Sequence, residues 1–451
     1  MILFFIVITA IVSTQLVSGV TDFPKAALVV VSLFVIIATF INTDIGLIAI
    51  LLSMLLSPEL EAGSVPGRSI VIRAEDLLLV LVTLTWLAKM AIKKLPLLIR
   101  SPLNVPIGLY TAAIFTSTIY GMLIGAVQPL RGAFYVLKLI EYFFLYFIVL
   151  NQIVTVKQVK TFTTVLLFTA IIVGIYGNTH IGHVARISAP FEGEGEPNTL
   201  GGYMLFILCM VAGLFFYYKT RRTILILIFA FLVPTFLFTL SRASYLGMIF
   251  SLIAFVLITR DKRVVNFSIA MFLLFALAVG VGPPALKDRV IGAFMPEKSQ
   301  QLQRVGVISL GPSPAARIMS WKMALTKLFP KSPILGFGVT GTPFLDSQYI
   351  LVLSETGLIG LILFSWLFLK IWKVGMKSFR DVETPLFKGL VLGYLVGMIG
   401  LLFHAIGSNS FIIIRIAEPF WFFTAIVMKS KDIESGKAEE ESAFGTKQIF
   451  A

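Results

Sequence analysis

Residues 219–263 read KTRRTILILIFAFLVPTFLFTLSRASYLGMIFSLIAFVLITRDKR. Lys219, Arg221 and Arg222 precede an apolar run at 223–240. Ser241-Arg242 breaks it, a second run covers 243–259, and Arg260, Lys262 and Arg263 close the stretch. A membrane-crossing helix needs ~20 apolar residues. Two such helices joined by a tight turn bring both basic clusters to one side of a bilayer. Cytoplasmic loops concentrate Lys and Arg, so that side reads as cytoplasmic and the Ser241-Arg242 turn faces outward.

The same alternation runs along the chain. Further apolar runs lie at 2–19, 27–41, 45–57, 76–92, 104–125, 133–150, 161–177, 198–217, 265–282, 348–369, 387–406 and 411–428, fourteen in all. The runs at 27–41 and 45–57 are short; a re-entrant hairpin there leaves twelve spans. Lys93, Lys94 and Arg100, then Lys370, Lys373, Lys377 and Arg380, then Lys429 and Lys431 all fall on the basic side. Both termini are therefore expected in the cytoplasm. The first run has no positive flank and no small-residue cleavage site, so it reads as a retained helix.

Of the 451 residues, 58% are hydrophobic and 13% charged. Soluble domains carry roughly 25% charged residues, so a soluble fold is excluded. Strict period-2 alternation is absent, which argues against an outer-membrane barrel. The net charge of +14 belongs to the basic loops and not to nucleic-acid binding. Cys209 is the one cysteine, so neither a disulfide framework nor a cysteine metal site is expected. The fold expected is an all-α polytopic membrane protein of 12–14 transmembrane helices. Its layout is an N-terminal bundle at 1–282, an extracytoplasmic loop at 283–347, a C-terminal bundle at 348–428 and a disordered cytoplasmic tail at 429–451.

Chemistry belongs on the outward loops. Arg186-Ile-Ser-Ala-Pro-Phe191 precedes Glu192, Glu194 and Glu196. An arginine there either pairs with those carboxylates or grips phosphate through bidentate hydrogen bonds. Arg317, Trp321 and Lys322 share an amphipathic helical stretch inside 283–347; they are an interfacial anchor or a ligand-binding face. Arg242 at the tight turn either snorkels to headgroups or joins them. Asp346 stands where the long loop re-enters the bilayer, as a helix cap or as a general base. Tyr349 follows it, and Glu355 lies deeper in an apolar span, where a carboxylate marks function or an ion pair. Arg131, Lys138 and Glu141 lie close to one helical face, with Lys138 and Glu141 at i and i+3, and read as an internal ion pair holding helices together. His404 reads as a structural hydrogen-bonding residue. His180 and His183 are thin support for a metal site, and neither a metal nor a cofactor is expected.

Four stretches carry a family resemblance: Arg186–Phe191 with Pro197–Tyr203; Thr239–Gly247; Arg317, Trp321 and Pro333–Gly338; and Gln348-Tyr349 with Ser354–Gly360. They resemble the O-antigen ligase and Wzy-type polymerase superfamily, in order, spacing and membrane side, over roughly residues 180–365. The resemblance implies a bundle like the membrane-embedded glycosyltransferases of the C type. It implies metal-independent, inverting transfer of an oligosaccharide from undecaprenyl pyrophosphate on the outer face of the bacterial inner membrane. Arg186 and Arg317 resemble the family's donor-pyrophosphate arginines, and Asp346 takes the place of the base. Arg242, Trp321, Lys322, Tyr349 and Glu355 are the expected substrate contacts. Partners would be the lipid-linked oligosaccharide, a growing polysaccharide acceptor and membrane lipids, with room for a chain-length co-polymerase.

Ligases of the family carry a His-Asn pair before the re-entering helix, where this chain has Asp346-Ser347. Polymerases commonly lack that histidine. The resemblance thus implies polymerisation of repeat units into O-antigen, capsule or exopolysaccharide. An O-antigen ligase or protein oligosaccharyltransferase is the alternative within the family. A lipid-linked sugar transporter or flippase is the alternative from another class, but no internal repeat supports it.

Overall fold

The structure is a computed structural model that describes residues 34–57, 59–65, 68–94, 96, 99–191, 196–291, 303–305, 308–310 and 312–437. The first expected span, 2–19, lies outside the described residues. Residues 34–41 are helical. Asn42 then caps α1 (Thr43–Leu56) by accepting from Asp44 N–H. An antiparallel hairpin follows, β1 (Glu59–Val65) on β2 (Arg68–Arg73), leading into α2 (Ala74–Ile92). Next come α3 (Asn104–Leu123), α4 (Pro129–Gln152) and α5 (Val156–His180). Pro129 opens α4, since proline's missing N–H costs nothing in a first turn. Thr155 and Gln158 box the start of α5: Gln158 N–H donates to Thr155 Oγ1 and Thr155 N–H to Gln158 Oε1.

Then come α6 (Pro197–Tyr217), α7 (Arg222–Phe238), α8 (Arg242–Thr259) and α9 (Lys262–Val281). The long loop contains α10 (Pro284–Ile291), a short hairpin of β3 (Gln303–Val305) and β4 (Ile308–Leu310), and α11 (Pro312–Met323). A π turn at Ala324–Leu328 and a 3-10 turn at Phe329–Lys331 continue α11. The chain ends in α12 (Gln348–Asp381), α13 (Pro385–His404) and α14 (Ile414–Glu434).

Among the described residues, nine helices are long and apolar enough to cross a membrane. Helix α1 is shorter, while α2 and α14 carry several charges within their length. The protein is an all-helical polytopic membrane protein. Its two hairpins, which the sequence reading did not anticipate, sit in loops.

Helices α6 and α13 form the centre and are buried nearly throughout. Small residues permit their close approach, as in many membrane helix pairs: a Cβ on Gly213 would stand 2.4 Å from Gly389 O. Helices α7 and α9 are peripheral, with few buried residues.

Helix α12 is two helices end to end. Gly357 breaks it with φ 65° and ψ −166°, a conformation that essentially only glycine adopts. The coil at 333–338 is sewn into the break. Phe337 N–H donates to Ser354 O, Gly338 N–H to Glu355 O, and Leu358 N–H to Pro333 O. Backbone groups freed by the break are thus paired inside the protein, as a bilayer requires.

The internal ion pair expected at Lys138 does tie helices together: its Nζ lies 2.9 Å from Asp76 Oδ2 on α2. One expectation changes. The tail expected to be disordered from 429 is helical to Glu434. Lys429 and Ser430 are buried, and Glu434 accepts from Glu383 N–H at 3.0 Å.

Candidate functional site

The turn between α7 and α8 is the centre of the loop-rich end. Thr239 and Leu240 follow the last turn of α7, where helix carbonyls lack intrahelical partners. Leu240 has φ 49°, which is strained for a branched residue. Ser241 caps α8 by accepting from Ser244 N–H, and its hydroxyl donates to Asn198 at the start of α6.

Arginines take up the free carbonyls. Arg186 Nε donates to Thr239 O at 3.2 Å, and Nη2 to Leu240 O at 3.3 Å. Arg289 Nε donates to the same Leu240 O at 3.0 Å. Arg242 Nε donates to Arg289 O at 2.8 Å. The Arg186 loop is pinned on both sides: Ile187 N–H donates to Phe238 O, and the fully buried Arg415 reaches Pro190 O at 3.4 Å. Arg317, on α11, forms an ion pair with Asp346, Nε to Oδ2 3.4 Å. The Asp346 side chain is 52% exposed, so solvent or an acceptor can reach it.

These side chains act on one another. Burial, and then the charge of Arg289, pull Arg186 down to about 10, with Arg242 and Arg317 adding to the effect. Burial and Arg317 lower Arg289 in the same way. At neutral pH Arg186 still remains charged. The expected site residues Arg186, Arg242, Arg317 and Asp346 are therefore brought together, from stretches far apart in sequence. Arg186 makes these carbonyl contacts; of the three carboxylates considered as its local partners, only Glu196 is described. Glu196 accepts from Thr199 Oγ1 at 2.9 Å, and Glu192 and Glu194 lie outside the described residues.

Arg289 was not anticipated. It lies on α10, an eight-residue helix inside what reads as a long loop. The one sequence cue is the helix start at Pro283-Pro284, which sets Arg289 on an ordered segment.

Trp321 and Lys322 follow Arg317 on the same helix. Lys322 is exposed, and the buried Trp321 Nε1 has no protein hydrogen-bond partner. Tyr349 and Glu355 have their polar atoms engaged within the bundle. Tyr349 Oη donates to Leu402 O at 2.6 Å, and Glu355 Oε1 accepts from Thr340 N–H at 2.9 Å. Glu355 lines a cavity of about 30 Å³, space for a water but not a sugar. His404 is fully buried and hydrogen-bonds Ser410 Oγ through Nδ1 at 2.7 Å, the structural part expected of it. No group of three or more His, Cys, Asp or Glu among the described residues could hold a metal.

Beside the arginines, between α6, α7, α8 and α9, lies an apolar cavity of about 410 Å³. Phe229, Pro234, Met248, Phe267 and Phe275 line it, together with Tyr245. Tyr245 lies within electrostatic reach of Arg186 and Arg289, so the cationic cluster and the apolar cavity adjoin at that ring.

The fold and site define a class: a polytopic membrane protein with a cluster of arginines at one end, beside an apolar cavity. Residues 227–365 match the family model Wzy_C, described as O-Antigen ligase. Over this segment the chain is similar to that family, in keeping with the resemblance to the O-antigen ligase and Wzy-type superfamily. The segment carries Arg242, Arg289, Arg317 and Asp346, while Arg186 lies before it. No curated protein matches the chain.

Proposed function

We propose that the chain is a polymerase. It transfers undecaprenyl-pyrophosphate-linked oligosaccharide repeat units onto a growing glycan, making O-antigen, capsule or exopolysaccharide on the outer face of the inner membrane. The observation that carries this reading is the adjacency of the arginine cluster, the exposed Asp346 and the apolar cavity. A lipid tail fits the cavity, and guanidiniums fit the pyrophosphate.

The chemistry is one displacement. An acceptor hydroxyl oxygen bonds to the anomeric carbon as the bond from that carbon to the phosphate oxygen breaks. The electron pair leaves with the pyrophosphate, whose growing charge Arg186 and Arg317 stabilise. The hydroxyl proton passes to Asp346. Such a displacement inverts the anomeric centre. Arg242 adds to the anion site, and Trp321 and Lys322 offer an aromatic edge and a cation for the glycan. The presence of Asp346-Ser347 in place of a His-Asn pair favours polymerisation. The description of the family model favours ligation, with transfer to a lipid A-core acceptor instead.

The test supplies purified protein with a lipid-linked repeat unit in the presence of EDTA. A ladder of longer lipid-linked products supports the polymerase. A single transfer that appears only when lipid A-core is added supports the ligase. Movement of the lipid across the bilayer with no transfer sinks both.

A further inference from the structure

Asp346 is an exposed residue in a buried segment. Its side chain is 52% exposed, whereas Leu345, Ser347 and Gln348 are buried. Ser347 N–H donates to Leu345 O at 2.8 Å and closes a three-residue turn with Asp346 at its apex. That turn sets the place of the carboxylate. A single hydrogen bond is little to fix a base, which must come within about 2.6–3.2 Å of the oxygen whose proton it takes.

The connection between α13 and α14 supplies the rest. The buried Asn409 donates from Nδ2 to Leu345 O at 2.9 Å. The same carbonyl oxygen thus takes the bond that closes the Asp346 turn and a bond from a segment 64 residues further along the chain. On the other flank, Gln348 N–H donates to Ala405 O at 3.0 Å, and Gln348 Oε1 accepts from Phe411 N–H at 3.1 Å. His404 braces this connection from within through Ser410. Leu345 also shares an apolar cluster with Ala324, which follows α11, the helix that carries Arg317.

Resting on the transfer reading above, we propose that Asn409 is a positioning residue: its amide locks the turn at Leu345–Ser347 and so holds the Asp346 carboxylate in line with the acceptor hydroxyl. The contact can be removed by itself. Ile412 and Ile413 N–H donate to the main-chain oxygen of Asn409 at 3.0 and 3.1 Å, and those bonds survive a change of side chain. Leu345 O in turn keeps its bond from Ser347 N–H. What is lost is the tie between the two segments, and a displacement of about 1 Å at a reacting group can cost 10²-fold in rate.

The experiment is a double-mutant cycle on the full chain in nanodiscs, with wild type, Asn409→Ala, Asp346→Asn and the double variant. Turnover and KM are measured on an undecaprenyl-pyrophosphate-linked repeat unit extracted from the native membrane. Asn409→Ala is expected to lower turnover by about 10- to 100-fold and to leave donor KM within about twofold of wild type. In the Asp346→Asn background the same change is expected to cost less than about twofold, because the group it acts through is gone. An equal loss in both backgrounds makes Asn409 a support of the fold alone and overturns the assignment, while the transfer reading stands. Wild-type turnover in Asn409→Ala overturns it as well. If Asp346→Asn keeps wild-type turnover, the base lies elsewhere and the assignment falls with that step. If wild type turns nothing over, the transfer reading falls first and takes this one with it. Should Asn409→Ala fail to fold, Asn409→Ser, whose hydroxyl stops short of Leu345 O, completes the cycle and is judged by the same outcomes.

Discussion

Arg317 Nε and Asp346 Oδ2 lie 3.4 Å apart, joining α11 to the residue pair that precedes α12. Each holds the other. On the proposed reading, a donor pyrophosphate that drew Arg317 away would release the carboxylate to act as base. Asp346→Asn keeps the size and removes the base. The turnover number should drop by about 10²- to 10⁴-fold, the usual worth of a general base, with donor KM nearly unchanged. Steady-state kinetics on the repeat-unit donor checks this; an unaltered turnover would move the base elsewhere.

Arg186 supplies a pH signature. Its group sits at about 10 because burial, and then Arg289, disfavour its charge. Protonated Arg186 is the form that attracts the anion, so donor affinity should be level from pH 7 to 9. It should then fall as pH rises through about 10, by up to tenfold per unit. Arg186→Ala should weaken donor binding by roughly 10- to 100-fold and make the step shallower. A titration of donor affinity against pH, for both proteins, shows whether the step belongs to this residue.

Much of this site is visible in the sequence, for physical reasons that differ by residue. Arg186, Arg242, Arg317 and Asp346 stand out because charges are scarce in so apolar a chain and these lie between its apolar runs. Arg289 stays hidden because its helix is short and its partners are main-chain carbonyls on another segment. Asp76 as a partner of Lys138 is hidden in the same way: it arrives from α2 by packing, which spacing along α4 does not encode. Helix α14 outruns its apolar stretch because Lys429 and Lys431 find carbonyls of Leu150 and Asp381, which no periodicity encodes.

Glu355 separates a chemical from a structural carboxylate. Its Oε1 holds the N–H of Thr340 at the end of the coil sewn into the α12 break. A glutamine carbonyl can accept the same bond. Glu355→Gln should therefore retain most activity, while Glu355→Ala should lose about 1–3 kcal/mol by leaving that N–H unpaired. Thermal unfolding and turnover of both variants test this. A folded but inactive Glu355→Gln would return Glu355 to the substrate contacts.

Gly357 should tolerate no side chain. A Cβ there would stand 2.2 Å from Ile334 O, and φ 65° disfavours any other residue. Gly357→Ala should cost at least about 1–3 kcal/mol from backbone strain alone, before the clash is relieved. Relief would push the 333–338 coil out of the α12 break and shift the chain leading to Asp346. Lower thermal stability together with lost transfer is the expected pair of outcomes, and a variant with wild-type stability would mean the break is not held as described.

The apolar cavity makes the last prediction. Met248 lines it on α8, below Tyr245. Met248→Trp adds bulk where a lipid tail would lie, without touching any arginine. A long polyprenyl chain has to occupy the space, whereas a donor with a truncated tail need not. The variant should raise donor KM for an undecaprenyl-linked repeat unit several-fold more than for the same repeat unit on a short tail. Filling a cavity of about 410 Å³ leaves room for the ring, so overpacking should cost little stability. Equal effects on both donors would mean that the tail runs elsewhere, along the outside of the bundle.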